Sequence, residues 1–408
     1  MPEVTQPESR YAWWRLAAAL ALMTLGGSGM YGVTVALPPV QAEFGVSRGD
    51  ASLPYTLTMI GFGIGSILMG RLSDRFGVMV PALCGSLCLA LGLVAAGFAQ
   101  SLWQFALIQG VMIGFLGSSG TFAPLVADIS LWFTRRRGIA VAICASGNYL
   151  AGALWPPVLQ YFFDGYGWRA TFIGAGLFVL FAGVPLTLAL RRRPPVHALA
   201  AAAGGGSHAS PRSLGLSPNA LFVLLCTSGV ACCVAMSMPQ VHIVAYCGDL
   251  GFAAARGAEM LSLMLACGIV SRLASGWICD RIGGLRTLLL GASLQAVALA
   301  LFLPFDGLGA LYVVSALFGL FQGGIVPSYA IIVREHFPVR EAGWRVGAVL
   351  TATLLGMALG GWMSGAIFDF AGSYRAAFLN GIGWNLVTIL IAAELLRRTR
   401  HRASPQPI

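Results

Sequence analysis

The sequence predicts an all-α integral membrane protein with twelve transmembrane helices in two pseudo-symmetric six-helix halves. Hydrophobic residues occupy 57% of the 408 positions and charged residues only 10%, whereas a soluble domain carries about 25% charged residues. The apolar residues form runs long enough to cross a bilayer, which takes about 20 residues each. The two halves of the chain also repeat short motifs in the same order. A soluble enzyme, a secreted scaffold and a disordered protein are excluded on this composition.

Twelve apolar runs are predicted to span the membrane. Glu3 and Glu8 precede the first run and no basic cluster does, so we expect a span there and not a cleaved signal peptide. The long polar interruption at 191–217, rich in Ala, Gly and Ser, is predicted to be a flexible cytoplasmic linker. It separates an N-terminal half (1–190) from a C-terminal half with a short cytoplasmic tail (218–408). The predicted spans are 13–38, 51–70, 78–98, 103–130, 138–161, 170–190, 218–246, 257–277, 285–304, 308–333, 344–368 and 376–396.

The arginines predict the orientation. All 25 basic residues are arginine. With both termini and the even-numbered loops in the cytoplasm, 20 arginines lie on that side and four on the other, as the positive-inside rule requires. The positive-inside rule thus explains the net charge of +10 by the arginines of the cytoplasmic loops. We therefore expect no nucleic-acid partner. The absence of lysine and the many small residues indicate a GC-rich bacterial genome, and thus a bacterial inner (plasma) membrane.

Three motifs recur in both halves at a nearly constant offset, between 204 (336 minus 132) and 206 (276 minus 70) residues. Paired halves around a midplane site are the architecture of a secondary transporter. Nucleotide-binding motifs are missing and the nine cysteines lack metal-ligand spacing, so we expect no enzymatic activity, no cofactor and no metal. The matched segments are 70–77 with 276–283, Trp132-Phe133 with His336-Phe337, and Phe163-Asp164-(…)-Trp168-Arg169-Ala170 with Phe368-Asp369-(…)-Tyr374-Arg375-Ala376.

These motifs resemble those of a known family. The segment 70–77, with the pattern G-x-L-x-D-R-x-G, resembles the hallmark loop of the major facilitator superfamily, and 276–283 is a variant of it. The segment 132–157, which begins W-F-x-x-R-R-G-x-A and ends at a Pro-Pro pair, is similar to the signature of monocarboxylate porters and the related oxalate/formate exchangers. The resemblance implies the major facilitator fold. It also implies gating roles, and not substrate-binding roles, for the charged pairs Asp74/Arg75 and Asp280/Arg281.

Arg272 is the first candidate for substrate binding. It precedes Asp280 by eight residues, about 12 Å along a helix, and so lies in the hydrocarbon zone, where a charge costs at least ~2.5 kcal/mol. Its counterpart in the first half is Ser66 (272 minus 206), and no acidic residue lies one helical turn away. A guanidinium can bind a carboxylate through two parallel hydrogen bonds, and similar porters carry a substrate-binding arginine on the eighth span. The alternative is a structural ion pair or a side chain that reaches the cytoplasm.

His242 is the second candidate. It is the only one of the five histidines inside a predicted span, and histidine changes protonation near neutral pH. We therefore predict that it binds substrate and carries a coupled proton, as a seventh-span histidine does in some bacterial porters that this chain resembles. The alternative is a neutral core histidine bonded to a carbonyl freed by Pro239. His242 lies nearer the outer surface than Arg272, so a direct contact would require helix tilt or a break near Pro239.

Weaker candidates are polar residues within the spans that line the cavity of similar transporters. Each could instead join two helices through a hydrogen bond. Asp128 and Glu335, at the cytoplasmic ends of spans four and ten, are expected to pair with loop arginines. The weaker substrate-binding candidates are Tyr31, Ser118, Ser119, Thr121, Asn148, Tyr149, Gln322 and Tyr329.

Two absences narrow the predicted substrate. The eleventh-span lysine of oxalate-type exchangers is missing from 344–368, and one central cation suits one carboxylate. The aspartate that animal porters place one turn before the arginine is Gly268 here, so their coupling scheme does not transfer. We predict a monomer that transports a small monocarboxylate anion, of the lactate or pyruvate type, together with a proton across the lipid bilayer. The alternatives are proton-independent exchange of organic anions of the oxalate/formate type, drug/proton antiport, and a transporter-shaped sensor.

Overall fold

The computed structural model describes residues 8–133, 135–192 and 215–403. Within these ranges every regular element is a helix, as expected for an all-α membrane protein. Most of the predicted linker, 193–214, lies outside the described residues, as does Glu3. Eleven helical segments of the described chain are long and apolar enough to cross a membrane.

One of the eleven segments contains two spans. Arg137–Leu190 has 54 residues, which would extend about 80 Å as one helix, against a hydrocarbon core of about 30 Å. Gly167 breaks it, with φ 77° and ψ 159°, a backbone conformation that glycine adopts without a steric penalty. The helices are α1 (Arg10–Phe44), α2 (Arg48–Phe76), α3 (Met79–Gly97), α4 (Leu102–Trp132), α5 (137–166), α6 (168–190), α7 (Pro218–Asp249), α8 (Ala254–Ile282), α9 (Gly284–Leu301), α10 (Leu308–His336), α11 (Val339–Ala371) and α12 (Tyr374–Ala403).

Most helices extend beyond the predicted spans because the apolar run ends before the helical hydrogen bonding does. The clearest case is α1, which continues through Pro38 and Pro39 to Phe44. Two helices are interrupted at equivalent places. α4 contains a π-helical stretch, Ile108–Ser118, followed by a turn at residues 121–122, and α10 is interrupted at Gly323-Gly324. Interruptions of this kind are frequent at functional sites.

The described residues form two compact units. The first comprises those of Met1–Gly205 and Val244–Leu265, and the second those of Gly206–Ile243 and Ala266–Ile408. The core of the first unit packs Leu16 and Leu125 against Trp132. The core of the second unit contains Leu225 and Tyr329, with Ile332 beside them.

The loop end of α7 and α8 (residues 244–265, the α7–α8 tip) packs within the first unit. Arg48 donates two hydrogen bonds to Asp249, from Nη2 to Oδ1 at 3.0 Å and from Nη1 to Oδ2 at 3.1 Å. The Ser262 hydroxyl donates to the carbonyl of Ala153 on α5. A two-bond ion pair and a backbone hydrogen bond therefore hold this tip against α2 and α5.

Candidate functional site

Arg272 lies inside α8, at the level where α10 is interrupted. It is 18 residues from the first residue of α8, about 27 Å along a helix that is about 42 Å long, and its side chain is half-buried. A Cβ at Gly323 would lie 2.8 Å from the Cβ of Ser271, and a Cβ at Gly324 would clash with the side chain of Ser275. Glycine at both positions therefore allows α10 to lie directly against α8 beside Arg272.

Gln322 presents a hydrogen-bond donor at this level. Its Oε1 accepts a hydrogen bond from Nε2 of Gln240 on α7 at 3.0 Å. Its Nε2 is buried and has no hydrogen-bond partner among the described residues. A buried polar group without a partner costs about 1–3 kcal/mol, so an acceptor atom of a bound ligand would be stabilised here. Of the two residues, only Gln322 was predicted. Gln240 was missed, although an amide directly after Pro239 in an apolar span is a detectable signal.

His242 is completely buried within the second unit. Its Nε2 lies 2.7 Å from the carbonyl oxygen of Gly361 on α11, and its Nδ1 lies 2.9 Å from the hydroxyl of Tyr374 on α12. Because a carbonyl only accepts, Nε2 carries the proton and Nδ1 accepts from the hydroxyl. His242 therefore joins α7 to α11 and α12. The carbonyl that accepts from His242 therefore belongs to α11, and not to the turn of α7 in which Pro239 leaves a carbonyl without its backbone hydrogen bond.

A contact of similar kind occurs in the first unit, although its polar partner is not the repeat equivalent of His242, which is Ala36 (242 minus 206). Trp168 is the repeat equivalent of Tyr374 (374 minus 206) and opens α6 as Tyr374 opens α12. Its Nε1 donates to Glu43 Oε2 on α1 at 2.6 Å. In both units, an aromatic side chain at the start of the last helix thus bonds a polar residue on the first helix. This pairing supports a structural role for His242 beside the predicted proton-carrying one.

In the first unit, three predicted residues come together around a small cavity. Ser118, Thr121 and Asn148 line it together with Met30 and Phe62. Its volume of about 10 Å³ has room for about one water molecule. The Ser118 hydroxyl is bonded to the carbonyl of Gly26 at 3.0 Å, and that of Thr121 is bonded within its own helix.

The other polar candidates of the first unit do not line this cavity. Ser119 bonds the carbonyl of Phe115 at 2.5 Å. Tyr31 and Tyr149 are buried, with 5% and 6% of their surface exposed, and Tyr31 lies over Gly152 of α5. Their assignment to substrate stays a prediction.

Tyr329 lies in the core of the second unit and not at a cavity surface. None of its surface is exposed. Its hydroxyl forms hydrogen bonds with Ser228 Oγ at 2.9 Å and Cys232 Sγ at 3.4 Å. A substrate would have to displace these partners to reach it.

The predicted gating residues lie at the ends of α2 and α8. Asp74, Arg75, Asp280 and Arg281 are all exposed, and none of them takes part in an ion pair with another described residue. The two arginines contact aromatic rings instead: Arg281 lies 3.7 Å from the ring centre of Trp277 and Arg75 lies 5.3 Å from that of Phe76. The gating role stays a prediction.

Asp128 binds an arginine, but one within a helix and not in a loop. Arg15 of α1 contacts it through two hydrogen bonds, of 2.7 Å and 2.9 Å. The ion pair is buried, with 0% and 5% of the two side chains exposed. Glu335 forms no ion pair with another described residue, so its expected loop partner is absent from the described contacts.

Comparison with known proteins agrees with this architecture. The family model described as Major Facilitator Superfamily matches residues 17–308 and 248–407. The chain belongs to the major facilitator superfamily. Monocarboxylate transporter 13 from Rattus norvegicus is 30% identical over 331 residues, which cover 81% of this chain and 75% of that protein. The MFS-type transporter opdF from Penicillium oxalicum is 27% identical over 361 residues, covering 86% and 82%. The chain is therefore a monocarboxylate-porter-like member of the superfamily.

Solved structures share the fold at low sequence identity. A bacterial homologue of the human lysosomal transporter Spinster, in an inward-facing and unoccupied conformation, matches with a TM-score of 0.72 at 14% identity, covering 98% of this chain and 99% of that one. The nucleoside transporter NupG matches with a TM-score of 0.74 at 12% identity, covering 95% and 100%. These similarities support the predicted multi-pass membrane fold alone.

Proposed function

We propose that this major facilitator protein is a proton-coupled carrier of a small monocarboxylate, of the lactate or pyruvate type, in a bacterial inner membrane. The observation that carries the proposal is the position of Arg272. A cation held half-buried inside α8, beside the α8–α10 contact, is suited to bind a carboxylate. The similarity to monocarboxylate transporters, one of which is 30% identical, favours the same class of substrate.

The carboxylate would be bound through the guanidinium of Arg272. A planar guanidinium offers two parallel N–H donors that match the two oxygens of one carboxylate. The Nε2 donor of Gln322, on the neighbouring helix, would bond a second oxygen of the substrate, such as a 2-hydroxyl or 2-oxo group. Gln240 would orient this amide, because it already donates to Gln322 Oε1.

A proton would balance the charge of the anion, so that the loaded carrier reorients without a net charge change. His242 can take up a proton without losing its partners. A proton on Nδ1 reverses the bond to Tyr374, because a hydroxyl accepts as well as donates. Measured from the α7–α8 loop, His242 lies seven residues along α7 and Arg272 lies 18 residues along α8, a difference of roughly 16 Å in depth. Coupling would thus act through helix movement, and not through contact between His242 and the anion.

Uptake into proteoliposomes tests the proposal. We expect labelled L-lactate to accumulate when the outside is acid, and we expect Arg272→Ala and Arg272→Lys to abolish or strongly reduce this uptake. Arg286→Ala, at the exposed cytoplasmic start of α9, is the matched control. Full uptake by the Arg272 variants would refute the binding assignment. If folded wild-type protein takes up neither lactate nor pyruvate, the substrate class is wrong.

Proton-independent anion exchange is the second candidate. The enclosure of His242 favours it, since both ring nitrogens are already bonded inside the second unit. Exchange predicts that uptake depends on a preloaded internal anion and is insensitive to the pH gradient. Counterflow with oxalate, formate and lactate separates the two mechanisms.

A further inference from the structure

A long apolar groove runs along the first unit between α1, α5 and α6. Its volume is about 1140 Å³, as large as a small-molecule binding site. The α5 wall extends from Leu150 to Tyr166, about 24 Å along the helix, or most of the hydrocarbon core. Apart from the exposed Tyr166 at one end, the polar groups of its walls are bonded within the protein: Thr24 to the carbonyl of Leu20, Trp155 to that of Thr24 and Thr171 to that of Gly167. An occupant of the groove is therefore held by apolar contact along most of its length.

One end of the groove is cationic and aromatic. On α1, the groove wall includes Ala17, Ala21 and Thr24, and the helical period places Trp14 and Arg10 on the same face, one and two turns further towards the N-terminus. Both side chains are exposed. The arginine distribution predicts that this end is cytoplasmic.

The last turn of α6 brings further cations to this end. The hydroxyl of Tyr11 donates to the carbonyl of Ala189 at 2.6 Å, and the guanidinium of Arg192 lies 4.8 Å from the centre of the Tyr11 ring. Arg191 and Arg192 are exposed. Neither they nor Arg10 form an ion pair with any residue that the structure describes.

We propose that this groove binds an anionic phospholipid of the cytoplasmic leaflet, with its acyl chains between α5 and α6 and its phosphate at Arg10 and Arg192. The cations attract an anionic headgroup, and Trp14 has the amphipathic character that favours the headgroup level. The apolar walls fit acyl chains, and between Leu150 and Tyr166 their polar groups are already bonded within the protein. A zwitterionic lipid would fill the same walls but would gain less from the cations.

The proposal predicts a preference that native mass spectrometry can measure. Purified protein is equilibrated with equal amounts of phosphatidylglycerol and phosphatidylcholine of identical acyl chains, and the bound lipid is identified by mass. We expect one phosphatidylglycerol to be retained selectively. In Arg10→Gln/Arg192→Gln, the preference should fall by about 30-fold, since each arginine at the headgroup contributes about fivefold. Arg286→Gln, also on the predicted cytoplasmic side, should leave the preference unchanged.

A second variant tests the groove itself. Gly174 lines it, and a Cβ at this position meets no atom within 4 Å, so Gly174→Phe places an aromatic ring in the groove from a position that is open at its Cβ. Gly383 on α12 is exposed and equally open, and Gly383→Phe is the matched control. We expect loss of bound lipid only in the Gly174 variant. Equal retention of both lipids by the wild type, unchanged retention in Gly174→Phe, or a lipid-free dimer would each overturn the proposal.

Discussion

Loss of either Arg15 or Asp128 alone should destabilise the protein, whereas replacement of both members of this ion pair by apolar residues should not. It joins α1 to α4 at a site where 0% and 5% of the two side chains are exposed. Arg15 also contacts the hydroxyl of Tyr11 at 3.3 Å and lies 4.7 Å from the ring centre of Trp132. Removal of one partner from such a pair costs about 3–5 kcal/mol, because the other charge is left buried. We expect this loss in the free energy of unfolding for both Arg15→Leu and Asp128→Ile.

The second unit indicates what the double replacement would do. In the repeat, Leu221 is the equivalent of Arg15 (15 plus 206) and Ile332 is the equivalent of Asp128 (128 plus 204). These residues are 5% and 0% exposed and belong to one apolar cluster. Two charges in the first unit thus correspond to two apolar side chains in the second. Replacement of a buried ion pair by apolar residues is often neutral or stabilising, by about 1–4 kcal/mol.

A double-mutant cycle measures the effect. Arg15→Leu, Asp128→Ile and the double variant are unfolded by denaturant in detergent, and the coupling energy is taken from the four free energies of unfolding. We expect the double variant to be at least as stable as the wild type, with a coupling energy of about 6 kcal/mol or more. Single variants that lose less than about 1 kcal/mol, or a double variant as unstable as the sum of the two, would refute the reasoning. A stable double variant that no longer transports would show that the charges serve the transport cycle.

Three further predictions concern the site and its surroundings. Gln322→Met removes a donor to the 2-hydroxyl or 2-oxo oxygen of the bound substrate, so the KM of uptake should rise by roughly 2- to 10-fold, the value of one hydrogen bond between neutral groups. Tyr374→Phe removes the hydroxyl that bonds Nδ1 of the buried His242, so stability should fall by about 1–3 kcal/mol. If His242 carries the proton, the pH profile of uptake should also shift. Asp249→Asn weakens the bonds to Arg48, and thermal unfolding should record a loss of about 1–3 kcal/mol.

Two of these variants have a matched control in the chain. Gln295→Met removes a buried amide that donates to the carbonyl of Cys232 on α7, and it should leave the KM unchanged. Glu259→Gln breaks an exposed pair with Arg256, with side chains 41% and 53% exposed, and it should cost no more than about 1 kcal/mol. An unchanged KM in the Gln322 variant would remove Gln322 from the site. An unshifted pH profile after loss of the Tyr374 hydroxyl would argue against proton coupling through His242.

The sequence predicts where the helices lie along the chain better than it predicts which face of each helix contacts its neighbours. Run length alone predicted twelve spans, two of them within Arg137–Leu190, which Gly167 breaks in the structure. The burial of Tyr329 was not predictable from the same pattern, nor was the bond between Gln240 and Gln322. In a membrane, residues that face lipid and residues that face the core are both apolar, so hydropathy does not reveal how far a helix is rotated about its axis. That rotation decides which polar side chains meet.

The repeat supplies a criterion for function that hydropathy lacks. Where a residue type differs between the two units, the residue at the equivalent position indicates what the fold itself requires there. Arg272 differs from its equivalent in this way. Its equivalent, Ser66, fills the same place in α2 by bonding the carbonyl of Phe62 at 2.7 Å, whereas an arginine within a span costs at least ~2.5 kcal/mol. Because a serine satisfies the fold at this position, the cost of the arginine is best explained by the anion that we propose it binds.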